Sequence, residues 1–157
     1  EYVAGEKRVS SRINFLSEIE KLTDSSTNVQ ILITKDFLRE VAHWLRPRSH
    51  TDLPPALVRD KLLYILEKIP CTGGMRRSED NYDLTDITKE EWTGLTPCDL
   101  LSSGDLGSVI RFYSERAEES MENRQIARSL CERWAALLVR QNSDDIEDEV
   151  RESVQYQ

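Results

Sequence analysis

The sequence predicts an all-α fold: a bundle of stacked helical hairpins, with about six to eight helices by the pattern of its apolar residues and one long inserted loop. Three observations lead there. Apolar residues recur at helical spacing in several separate stretches. Prolines and polar runs punctuate the ends of those stretches. No alternation of period two persists over a strand's length, so no sheet is expected.

The bundle is organised around residues 103–139. Leu106, Val109, Ile110 and Tyr113 place one apolar face on a first helix. A polar break from Glu115 to Ser120 follows, with Ser120 as candidate N-cap and Glu122 as a first-turn acid. Ile126, Ala127, Leu130, Cys131, Trp134, Leu137 and Leu138 then continue the periodicity. Two such helices joined by a short turn bury their stripes against each other as an antiparallel hairpin.

From the N-terminus, residues 1–11 are polar and read as a flexible segment. Ile13, Leu16, Ile19 and Leu22, with Phe15 beside them, give the first amphipathic helix, and Asp24 to Asn28 break it. Val29 to Ile33 is too short to settle between strand and helix. A helix from Lys35 to Arg46 follows, with Thr34 as candidate N-cap and Phe37, Leu38, Val41, Ala42 and Leu45 inward; Pro47 ends it. Pro55 can occupy the first turn of the next helix without losing a hydrogen bond. That helix turns Val58, Leu62, Ile65, Leu66 and Ile69 inward and stops at Pro70.

Residues 70–97 read as an insertion. Within it, Thr88-x-x-Glu91 is a capping-box pattern able to open a short helix holding Trp92. Trp92 either plugs the loop onto the bundle or forms an exposed anchor, and the plug is favoured because aromatic rings mostly bury their area within their own chain. Thr96-Pro97-Cys98-Asp99 is a second helix start, and Leu100 and Leu101 follow it.

Length allows one domain with an ample core; its expected boundaries are residues 12–141, followed by an acidic tail at 142–157. The net charge is −8, and residues 142–157 carry −5 of it, leaving −3 for the preceding 141 residues. That balance argues against a general nucleic-acid binder, which needs a basic face for phosphate. Cys71, Cys98 and Cys131 are an odd set with no signal sequence ahead, which reads as free thiols in a reducing compartment. The chain opens on Glu1 rather than Met, as expected of a fragment of a longer protein.

Nothing in the sequence suggests an enzyme. His43 and His50 fail metal-ligand spacing, the cysteines form no Cys-x-x-Cys unit, and the carboxylates lie mostly on helix faces. No cofactor or metal is therefore expected. Trp44 and Trp134 read as core or core-edge residues.

Two motifs carry a family resemblance. SGDLGSVIRFY followed by NRQIARSLCERW is similar to the closing half of the TFIIS N-terminal domain family, through Gly104, Leu106, Gly107, Val109, Ala127, Leu130 and Trp134. Upstream, HWLRPRSHTDLPPALVRDKLLYILEKIP resembles the Iws/Spn transcription elongation factor branch, through Trp44, Leu45, Pro47, Leu53, Pro54, Val58, Arg59, Leu62 and Leu63. The glycine turn is one residue longer than the usual pattern, and Ala135 replaces the basic residue that commonly follows the tryptophan.

The resemblance implies a right-handed-type, short HEAT-like bundle in a nuclear protein-interaction domain of a transcription elongation or chromatin factor. It also implies partners: disordered motifs of elongation or chromatin proteins, such as an Spt-six-like histone chaperone, and the RNA polymerase II machinery. Two turns would form the groove, presenting Leu53, Pro54, Val58, Leu62 and Tyr113 as apolar anchors. Arg59, Arg111 and Arg116 would steer acidic flanks. The rival reading is a nucleic-acid- or histone-contacting accessory domain.

Overall fold

The computed structural model describes the backbone of residues 2–71, 75–77 and 90–155 and the side chains of residues 10–71 and 92–140. Among these lie seven helices: α1 (Tyr2–Leu22), α2 (Ser26–Thr34), α3 (Phe37–Leu45), α4 (Ala56–Lys68), α5 (Pro97–Leu101), α6 (Leu106–Glu115) and α7 (Met121–Gln155). The expected all-α bundle is the fold observed. One correction concerns the insertion, where β1 (Met75–Arg77) pairs antiparallel with β2 (Glu90–Trp92). Three-residue strands are too short to leave a period-two signature.

The organising hairpin forms as the apolar spacing predicts. Leu106, Val109, Ile110 and Tyr113 of α6 are buried against Ile126, Ala127, Leu130, Trp134 and Leu137 of α7. Ser120 caps α7, its hydroxyl accepting from the Asn123 amide at 3.1 Å. Helix α4 lies between this hairpin and α1, burying Val58, Leu62, Leu63, Ile65 and Leu66. Each large aliphatic side chain so buried contributes about 1.5–3 kcal/mol, so the shared core far outweighs any single surface contact.

Helix ends depart from the sequence reading in three places. Helix α1 begins at Tyr2, through the stretch read as flexible. The run Val29–Ile33 belongs to α2, and Thr34 is that helix's last residue rather than an N-cap, its hydroxyl donating back to the Ile31 carbonyl at 2.6 Å. The N-cap of α3 is instead Asp36, in the left-handed region at φ 60°. Pro55 likewise precedes α4 as its N-cap rather than sitting inside the first turn.

Within the insertion, Glu91 and Trp92 are in β2, not a helix; Thr88 falls outside the described residues. Trp92 is half-buried against the core, the plug of the two alternatives. The start of α5 matches the sequence signal. The Thr96 hydroxyl accepts from the Asp99 amide at 3.1 Å, while the Asp99 carboxylate accepts from the Thr96 amide at 2.9 Å. The ends of the insertion meet where the Leu95 amide donates to the Pro70 carbonyl at 2.8 Å.

Candidate interaction site

The two turns singled out in the sequence lie side by side, joined by a charged knot. Glu119, with 1% of its side chain exposed, accepts from Arg59 Nε at 3.2 Å and from Arg116 Nη1 at 3.1 Å. Arg59 also donates to the Pro54 carbonyl at 2.7 Å, so the start of α4 is tied both to the preceding turn and to the α6–α7 connection. Asn123 closes the network, donating to Glu119 at 3.0 Å and to Asp60 at 2.6 Å. Burying a carboxylate costs free energy unless close hydrogen-bonded partners offset it, and these do.

A second link crosses the same region. The Tyr113 hydroxyl donates to the Leu45 carbonyl at 2.5 Å, satisfying an acceptor at the end of α3. Burial pushes the Tyr113 phenol up to about 12, with Glu119 adding to the rise and Arg59 and Arg116 opposing it. Nearby, His50 stacks obliquely on Phe112 with ring centroids 6.2 Å apart.

These contacts revise the expected roles. Val58 and Leu62 are 1% exposed and Tyr113 is fully buried, so they offer a ligand very little surface. All three sit on inward helical stripes, which is where their spacing already placed them. Arg59 and Arg116 are committed to Glu119 and not available to steer a partner's acids. Arg111 is exposed and pairs with Glu115 one turn along its own helix at 3.0 Å. Leu53 and Pro54 remain partly exposed.

Leu53 and Pro54 line a cleft of about 740 Å3 between the middle of α1, the end of α3 and the start of α4. Its floor is Val58 and its wall is Trp44; Arg12, His43, Arg46 and Arg48 surround it, against a single acid, Asp52. Trp44 is half-buried, packed on Phe15 with centroids 5.8 Å apart and with the Arg12 guanidinium 6.0 Å over its ring. Arg46 makes a two-pronged pair with Asp105, at 2.8 and 2.6 Å, and holds that carboxyl below the usual carboxylate range. On the other side of Trp44 lies an apolar hollow of about 260 Å3, lined by Phe15, Leu32, Phe37 and Val41, with Lys35 and Glu40 also in its lining.

Sequence reasoning missed Arg12 and the placement of Trp44 in the cleft. The signal for Trp44 was present: Phe37, Leu38, Val41, Ala42 and Leu45 already fill the inward face of α3, which leaves Trp44 at its edge. Arg12 had none, because its position depends on how α1 crosses α3.

The thiols show no catalytic tuning. Burial pushes Cys71 and Cys131 up, opposite to the shift that activates a nucleophile, and Cys98 is exposed. Among the described residues no group of His, Cys, Asp and Glu could hold a metal ion. No described helix is long and apolar enough to cross a membrane.

No protein-family model matches the chain. It is similar to Protein IWS1 homolog 1 of Arabidopsis thaliana, with 29% identity over 126 residues. That match covers 78% of this chain but 21% of the plant protein, so the chain spans about a fifth of its relative's length. In fold it resembles a chain from the crystal structure of a Spt6–Iws1(Spn1) complex from Encephalitozoon cuniculi. The TM-score is 0.57 at 24% identity, over 82% of this chain and 75% of that one. Sequence and fold likeness agree with the motifs at Trp44–Leu63 and Gly104–Trp134: the chain is similar to an IWS1 homologue in sequence and to the Spt6–Iws1(Spn1) chain in its helical fold.

Proposed function

We propose that the chain is a protein-interaction domain of a nuclear transcription elongation factor, and that it captures a short disordered segment of an Spt6-like partner in the Trp44 cleft. The observation that carries this reading is the cleft itself: a half-buried tryptophan and a proline-rich turn edged by Arg12, Arg48, His43 and the Asp105-paired Arg46, with Asp52 the one acid in the lining. Such a surface suits an aromatic or bulky aliphatic residue flanked by Asp and Glu. Arginine pairs well with those acids because its fork matches a carboxylate. The likeness to a chain solved in a Spt6–Iws1(Spn1) complex supports the choice of partner. Ordering a disordered ligand costs free energy on binding, so micromolar affinity is expected.

The test is titration of isotope-labelled protein with an acidic, Phe-bearing peptide. Amide shifts concentrated between His43 and Val58, and at least tenfold weaker binding by Arg48→Glu, are expected. Shifts elsewhere, or tighter binding to duplex DNA with a steep salt dependence, would replace this reading with the nucleic-acid one.

A further inference from the structure

We infer that a second groove, on the other side of the start of α4, is a docking site for a basic, aliphatic-bearing segment of a partner protein. The groove has a volume of about 760 Å3 and is walled by α1, α4 and the start of α7. Leu57 and Tyr64, 59% and 44% exposed, stand two turns apart on α4 and give it an apolar stripe. Large side chains on a helix are ordinarily turned inward, and here α4 has already filled its inward face with five others.

Charge decides the occupant. Five acids and two bases line the groove, and both bases are neutralised within it: Lys61 by Glu20 at 2.7 Å, Arg59 by Glu119 at 3.2 Å. What remains is Asp60, Glu118 and Glu122, all exposed at the surface. Asp60 receives the Asn123 amide, and Glu118 reaches Arg116 only at 3.9 Å. An apolar strip whose bordering carboxylates outnumber the bases in its lining favours a ligand that brings Lys or Arg on either side of a Leu-like residue, and repels the acidic ligand suited to the Trp44 cleft. The domain thus carries two grooves of opposite sign, and this inference does not depend on the first one's partner.

The experiment is a titration of the full 157-residue chain with a synthetic Lys/Arg-rich peptide centred on Leu-Leu, followed by amide shifts. Expected are shifts in Ala56–Tyr64 and Glu118–Ile126, with binding at least tenfold weaker in the double variant Glu118→Lys, Glu122→Lys. Both positions are exposed, so circular dichroism should show the fold retained. Leu57→Ser should weaken the Leu-Leu peptide but not a Ser-Ser version. Shifts confined to the acids of residues 144–152, or affinity unchanged in the double variant, would overturn the inference.

Discussion

Arg59 and Glu119, sixty residues apart in sequence, form a nearly buried ion pair at 3.2 Å that fixes the start of α4 against the α6–α7 turn. Arg116 closes on the same carboxylate, so one acid compensates two guanidinium groups that are 14% and 19% exposed. The arrangement sets the relative position of the two clefts, because each is bounded by residues next to this knot.

Glu119→Gln should therefore be among the more damaging single substitutions. It leaves the poorly solvated Arg59 without its counter-charge and Arg116 with only Glu118 at 3.9 Å, a loss of about 3–5 kcal/mol against a total stability on the order of 5–15 kcal/mol. Urea unfolding measures it. A change below about 1 kcal/mol, the range of surface pairs, would mean that the knot is solvated in solution.

Tyr113→Phe removes the donor to the Leu45 carbonyl and leaves a buried acceptor unsatisfied, at a cost of about 1–3 kcal/mol. The same phenol gives a pH dependence. Its folded pKa is raised to about 12 from an ordinary 10, so the unfolded chain loses this proton first. The stability it contributes is full below pH 10 and declines as pH climbs from 10 through 12. Denaturation midpoints across that window should fall less steeply in the Phe variant.

Gly104 sits at φ +73°, with open space where a Cβ would be added. The price of Gly104→Ala is then backbone strain alone, about 1 kcal/mol, without any steric clash. Thermal unfolding should show a small drop and leave peptide affinity unchanged. A larger loss would indicate that the turn ahead of α6 shifts.

Most of the architecture was legible because helical periodicity is local: the stripes of α4, α6 and α7 needed only their own residues to be read. Helix boundaries were less legible where two signals competed. Thr34 resembles a cap, yet α2 runs through it and the left-handed Asp36 starts α3 at Phe37, two residues after the expected Lys35. The site was the least legible part. Spacing showed that Val58, Leu62 and Tyr113 were apolar-face residues, and the resemblance drew them to a groove, but one face cannot both fill a core and meet a ligand. Arg59 looked like a steering charge because its partner, Glu119, comes into reach only after the chain folds back, whereas Arg116 pairs locally with the same acid three residues on.

The amide-to-carbonyl bond between Leu95 and Pro70 acts as a drawstring at the neck of the insertion. Trp92 still packs on the core, but with the neck cinched the flanking helices need not feel the length of the connection between β1 and β2. Lengthening it costs only about 0.6 kcal/mol for each doubling. The bundle can thus tolerate variation there while its two grooves keep their shape, making this loop the natural place to graft a tag or a label.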